Sequence, residues 1–163
     1  MIVVSDATPL NVLARIGLID SLSTLYGKVI IPPAVRDELT RDSTPSVVRN
    51  WIESAPAWLE VRTPTVQDEG GRAGKGERQA IALAKELRAD RLLADDAKAR
   101  RHAEQAGIKT IGTLGLLELF SSRGFCRLDV VLAQLPEDFR LAPALIEAAL
   151  ERHRASEGNN DRK

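Results

Sequence analysis

The stretch from Gly76 to Asp96, GERQAIALAKELRADRLLADD, constrains the fold more than any other. Ala80, Leu83, Ala84 and Leu87 recur at the spacing of one helix face. The pattern then gives way to a short apolar run, Leu92-Leu93-Ala94, which reads as a strand and ends on Asp95 and Asp96. Glu77 precedes Ala80 and Ile81 by three and four positions, so it projects on or beside the apolar face. A carboxylate there is costly unless a cation or hydrogen bonds meet it. In open α/β sheets, sites form beyond the carboxyl ends of the strands. Three acids therefore stand near one candidate site. Taken singly, each also reads as a helix cap or as a first-turn acid favoured by the helix dipole.

The rest of the chain repeats the alternation of strand and helix. Ile2-Val3-Val4 reads as a buried strand ending at Ser5-Asp6, and Thr8-Pro9 as the cap and first position of a helix. Ile19 to Tyr26 is a second helix stopped by Gly27, and Val29-Ile30-Ile31 a second strand. Pro32-Pro33 launches a helix from Ala34 to Leu39, in which Glu38 leans toward the apolar side. Ser46 to Ala55 is a helix with Trp51 expected in the core, and Trp58 to Val61 an edge strand. Thr63 to Gly76 is polar and glycine-rich, and is expected to be a mobile loop over the site. After Asp96 come a helix ended by Gly107, a strand at Lys109 to Ile111, and a helix from Leu114 to Ser122. Two further amphipathic helices follow, Arg127 to Leu135 and Pro143 to Arg152. The pattern predicts a parallel sheet of four or five strands flanked by helices.

The 163 residues suit one domain, expected over 1–155, with a disordered polar tail at 156–163. Lysine plus arginine and aspartate plus glutamate both number 23, so net charge is no argument for a nucleic-acid partner and only local patches count. A single cysteine, Cys126, excludes an intrachain disulfide and is expected to be buried and inert. Neither a secretory pattern nor a membrane-spanning run is present in the sequence; the expectation is a soluble cytoplasmic protein.

Asp6, Glu38, Glu77, Asp95 and Asp96 share a context: strand ends for the aspartates, inward sides of helix starts for the glutamates. Oxygen-only ligands suit Mg²⁺ or Mn²⁺, and the two histidines, His102 and His153, are too far apart to suggest zinc. Such an ion activates water and stabilises phosphate charge in phosphodiester hydrolysis. Acids brought together without a cation would repel one another, so their grouping argues for a metal. Arg36, Lys75, Arg78, Lys98, Arg100 and Arg101 are candidates to neutralise phosphates, against the plainer reading of solvated helix faces.

Five stretches in order, VVSDATPL, IPPAVRDEL, GERQAIALA, LLADDAKAR and IGTLGLL, resemble the PIN domain, the metal-dependent nuclease family that includes VapC-type toxins. The resemblance runs from Met1 to about Gly124. It implies a three-layer α/β/α sandwich and a catalytic set of Asp6, Glu38, Glu77 and Asp96, with Asp95 beside them as a further metal-facing candidate. Asp96 is expected to face the metal, and Asp95 to cap the next helix or receive an arginine. The family often carries threonine or serine two residues before its last aspartate; Ala94 stands there instead, and Thr8 is left to supply a hydroxyl near Asp6. The resemblance also implies RNA as substrate, a small antitoxin protein as partner, and a homodimer. Two other readings compete with it: an inactive RNA-binding or protein-interaction domain, and a phosphatase using Asp6 as nucleophile. The latter lacks a second aspartate at Thr8.

Overall fold

The computed structural model describes residues 1–66 and 72–160. It divides into two compact units, Met1–Thr113 and Leu114–Lys163. Five strands lie in the first: β1 (Val3–Ser5), β2 (Val29–Ile31), β3 (Leu59–Val61), β4 (Arg91–Leu93) and β5 (Thr110–Ile111). All pair in parallel, in the order β3-β2-β1-β4-β5. Six helices accompany them: α1 (Ala7–Arg15), α2 (Ser21–Tyr26), α3 (Pro33–Leu39), α4 (Ser46–Glu53), α5 (Lys75–Glu86) and α6 (Ala97–Gln105). The architecture is the expected three-layer α/β/α sandwich.

The strands are apolar runs rather than alternating ones because a parallel sheet is covered on both faces. Every residue of β1 and β2 is buried, as are Leu92 and Leu93 of β4. The edge strand β3 is covered less: Val61 is exposed, and Glu60 pairs with Lys28 and Arg62. Trp51 is half-buried rather than in the core, its ring 6.1 Å from that of Trp58.

Helix α1 starts earlier than the Thr8-Pro9 signal predicts. Asp6 leaves β1 in extended geometry (φ −79°, ψ 173°) and takes the N-cap position itself. Pro9 is tolerated within the first turn, where its missing N–H has no partner to lose. At the other end of an element, Gly27 ends α2 with φ +76°, a conformation that favours glycine.

The second unit holds most of α7 (Thr113–Ser122), then α8 (Leu128–Ala133) and α9 (Pro143–Asn160). Leu116, Leu117, Phe120, Leu128, Val131 and Ala149 are its buried side chains. Helix α9 runs through Asn160, so residues 156–160 of the expected disordered tail are helical. Residues 161–163 lie outside the described residues. Extending a formed helix adds a hydrogen bond for each residue ordered, which a polar composition does not prevent. Residues 67–71 of the stretch expected to cover the site also lie outside the described residues. No helix among the described residues is long and apolar enough to cross a membrane. Cys126 is half-buried, and burial pushes its thiol pKa up, which disfavours the reactive thiolate.

Leu92 is fully buried on a strand paired on both sides, by β1 and β5. Leu92→Ala is expected to cost about 2–5 kcal/mol in urea unfolding, with the m-value unchanged.

Candidate functional site

The sheet order reverses direction at β1, whose neighbours are β2 and β4. A crevice for ligands forms where strand order reverses, beyond the carboxyl ends of the strands. Ser5 is in register with Leu93, so Asp6 emerges beside the end of β4, its N–H donating to the Leu93 carbonyl at 2.9 Å. Asp95 and Asp96 follow one residue beyond the end of that same strand.

Asp6 is 5 % exposed. Its pKa is raised from 3.8 to about 7, first by burial, with the Ala7 N–H opposing, then by the negative charges of Glu77, Glu38 and Asp95. Burial also raises Glu77, followed by repulsion from Asp96; the Gly74 backbone opposes and Glu38 adds to the rise. These mutual effects tie Asp6, Glu38, Glu77, Asp95 and Asp96 into one acidic cluster, drawn from β1, α3, α5 and the loop after β4.

Gly76 is the point of convergence. A Cβ built there would lie 2.9 Å from Glu38 Oε2, 3.5 Å from Val35 Cγ2 and 3.7 Å from Asp6 Oδ1. Its missing side chain lets α5 approach α3 and both carboxylates. Gln79, one turn further along α5, accepts the Ala34 N–H at 3.1 Å. That bond satisfies an orphan donor at the start of α3 and fixes the pairing of the two glutamate-bearing helices.

The two adjacent aspartates depart from expectation in the cap, while an arginine, Arg100, does stand beside Asp95. Asp96, not Asp95, caps α6: its Oδ1 accepts the Ala99 N–H at 2.8 Å. Asp95 is held by Thr113 through both oxygens, from the backbone N–H at 2.7 Å and the hydroxyl at 2.6 Å. Burial raises the Asp95 pKa, while the Thr113 bonds and the Arg100 charge oppose the rise. The cap falls to Asp96 because its extended backbone (φ −65°, ψ 127°) directly precedes the helix, whereas Asp95 sits one residue back, within reach of Thr113.

Of the basic candidates, Arg78 and Lys98 line one cavity of about 350 Å³ together with Glu77 and Asp96. Arg100 stands beside Asp95: a Cβ on Gly112 would meet Asp95 Oδ1 at 2.9 Å and Arg100 Nη1 at 3.3 Å. Arg36 is exposed and 3.6 Å from Asp37, and Lys75 and Arg101 are exposed. Thr8 is half-buried in the first turn of α1. Sequence reasoning missed Gly76, Gln79 and Thr113 as determinants of the site. Gly112-Thr113 was visible as a break between strand and helix, but its bond to Asp95 spans 18 residues and leaves no local pattern.

Among the described residues, no group of three or more His, Cys, Asp or Glu side chains is arranged to hold a metal ion. The donor set nevertheless fits a hard divalent cation. It is oxygen-only, and its deepest member, Asp6, is pushed toward protonation by burial and by neighbouring carboxylates, a penalty that a cation would offset.

A family model described as DUF3368, PIN domain, matches residues 2–155. Among solved structures, the chain is similar to a PilT N-terminus domain protein from the hyperthermophilic archaeon Sulfolobus solfataricus P2. The two are 20% identical, with a TM-score of 0.52, over 69% of this chain and 87% of that one; at this identity the likeness bears on the fold alone. No curated protein matches the chain.

Two tests follow from the buried acid. Between the ordinary Asp6 pKa of 3.8 and the raised value of about 7, the folded protein holds a proton that the unfolded chain releases. Raising pH through that window removes stability, on the order of 4 kcal/mol at about 1.4 kcal/mol per pKa unit. Asp6→Asn does not titrate, so in EDTA its melting temperature should exceed wild type by several degrees at about pH 8 and match it near pH 4. Equal melting curves at both pH values would refute the raised Asp6 pKa. In Gly76→Ala, the nearest atom to the added methyl is the end of the flexible Glu38 side chain. The variant is expected to fold with wild-type stability, with the Glu38 carboxylate displaced; a crystal structure of the variant reads that displacement.

Proposed function

Because the chain belongs to the PIN-domain family, we propose that it is a Mg²⁺- or Mn²⁺-dependent endoribonuclease that hydrolyses phosphodiester bonds of single-stranded RNA. PIN domains are generally nucleases and typically use divalent metals. The observation that carries the reading is the approach of Asp6 and Glu38 to the same point at Gly76, with Glu77 and Asp95 near enough to repel Asp6. A bound divalent ion would supply Lewis-acid activation of water and neutralise phosphate charge.

Asp6, Glu38, Glu77 and Asp96 are the residues that would hold it. Asp6, the most buried, gives the site a fixed oxygen, and Glu38 and Glu77 bring oxygens from two helices locked together by Gln79. Asp96 uses one oxygen on the Ala99 N–H and keeps its remaining acceptor capacity. Asp95 positions rather than binds, because both its oxygens are engaged by Thr113. Arg78 and Lys98 bind phosphates beside the acids, and Arg36 and Lys75 attract the flanking strand. Arg100 shares its charge between Asp95 and the RNA backbone, and Thr8 offers a hydroxyl one residue past Ala7.

The setting we propose is the toxin of a toxin–antitoxin pair in the cytoplasm. A small antitoxin protein covers the acidic groove, and two copies of the chain associate through helices away from it. The order of the five sequence motifs supports this. The second reading, an inactive RNA-binding or protein-interaction domain, is favoured by the absence of a three-ligand group among the described residues and by the capping role of Asp96.

Incubation with end-labelled single-stranded RNA separates the two readings. Cleavage is expected in Mn²⁺, with 5′-phosphate ends, and should be abolished by EDTA. Asp6→Asn and Glu38→Gln should each slow it by about 100-fold or more. Cleavage that survives EDTA sinks the metal-dependent reading; RNA binding without cleavage in any divalent ion selects the second.

A further inference from the structure

The cavity beside the acids is lined in part by residues that the nuclease reading does not use, Arg72, Ile81, Ala99 and His102. Its volume, about 350 Å³, lies at the small end of ligand pockets and suits one small ligand unit. Glu77 and Asp96 form its acidic end. Arg72, Arg78 and Lys98 contribute three cations against those two acids, which favours an anionic ligand. Ile81 and Ala99 are apolar lining, and His102 completes the wall.

His102 follows Lys98 by four residues on α6, so the two share a helix face. Its Nε2 lies 3.1 Å from Lys85 Nζ on α5. An ammonium group has no acceptor, so Lys85 donates and His102 Nε2 accepts. An acceptor at Nε2 leaves Nδ1 as the donor that the ring offers to a ligand. A half-buried imidazole held across two helices, with a defined donor and a flat face, is suited to a nucleobase. Bases of single-stranded RNA are read by stacking on aromatic rings, histidine included, and by hydrogen bonds to their edges.

We propose that this cavity is a nucleotide subsite. It takes one base and its phosphate from the RNA strand, with His102 contacting the base and Arg72, Arg78 and Lys98 the phosphate. The inference rests on the nuclease reading for its choice of RNA, and on His102 and Arg72, which that reading does not use, for its distinguishing contacts. It makes His102 a specificity-determining residue: the strand next to the scissile bond is read by the Nδ1–H donor, and bases that present an acceptor to it are preferred.

The test is binding of nucleoside 5′-monophosphates to the purified full chain in EDTA, by calorimetry, with inorganic phosphate as the comparison. At least one of the four nucleotides is expected to bind about tenfold or more tightly than phosphate. His102→Ala should lose about tenfold for that nucleotide, the equivalent of one hydrogen bond, and leave phosphate binding unchanged. His102→Gln, which keeps a donor, should recover part of the loss, and Arg72→Ala should weaken nucleotide and phosphate together. His102 and Arg72 are not fully buried, so these variants retain the core. Nucleotide binding no tighter than phosphate, or unchanged in His102→Ala, overturns the proposal. No metal is present and no cleavage is read. A chain that binds nucleotide through His102 but cuts no RNA keeps the subsite and loses the nuclease; one that cuts RNA but binds nucleotide without His102 does the reverse.

Discussion

Burying Asp6 among three other carboxylates, Glu77, Glu38 and Asp95, is the interaction on which the rest of the site depends. The carboxylate is placed where the sheet reverses direction, at the end of a strand whose residues are all buried. Desolvation alone raises its pKa, and each neighbouring acid adds to the cost of ionising it. A fold minimising its own free energy would put an apolar or amide side chain there. The close approach at Gly76 and the Gln79 cross-helix bond hold the acids together against that cost. Helices α3 and α5 are packed so that carboxylates from both meet near Asp6, which is intelligible if a cation is part of the working state.

The adjacent aspartates solve a different problem. Both leave the end of β4 where the backbone must turn from strand to helix, and both have structural hydrogen bonds. Asp96 satisfies one of the orphan N–H groups of α6, which stabilises the helix by about 1 kcal/mol in a typical case. Asp95 is clamped by Thr113, the last residue of the first unit. Gly112 makes room for that clamp, because a side chain there would meet both Asp95 and Arg100. Asp95, which the resemblance places beside the catalytic set rather than in it, is thus the more constrained of the two.

What was readable in the sequence was what depends on local periodicity. The β-branched run at Val3-Val4, the Pro32-Pro33 start of α3 and the apolar stripe of α5 each announce their element, and their alternation predicts the parallel sheet. The acids were readable because each sits at an element boundary, where a charged residue is conspicuous. Contacts between elements were not. Thr113 reaches Asp95 across 18 residues and Gln79 reaches Ala34 across 45, and neither leaves a trace in spacing. Local signals also misassigned the cap: Thr8-Pro9 looks like a helix start, yet Asp6 already has the extended backbone that a cap needs. Trp51 failed for a related reason. Its amphipathic position points inward, but it packs against Trp58, next to an edge strand with less cover than the sheet centre.

The acidic cluster and the basic cavity wall are best understood as one electrostatic arrangement. Helices α5 and α6 both start at the cavity, so their N-terminal N–H groups add partial positive charge at its mouth. Glu77 and Asp96 sit in those first turns, where a carboxylate is favoured by the dipole even without a ligand. Arg72, Arg78 and Lys98 then face the same space from the sides. The cavity is therefore a mixed local field: three cations and two helix N-termini stand beside two carboxylates, although lysine plus arginine and aspartate plus glutamate balance over the chain as a whole. The placement of these charges, not their sum, decides what such a cavity attracts.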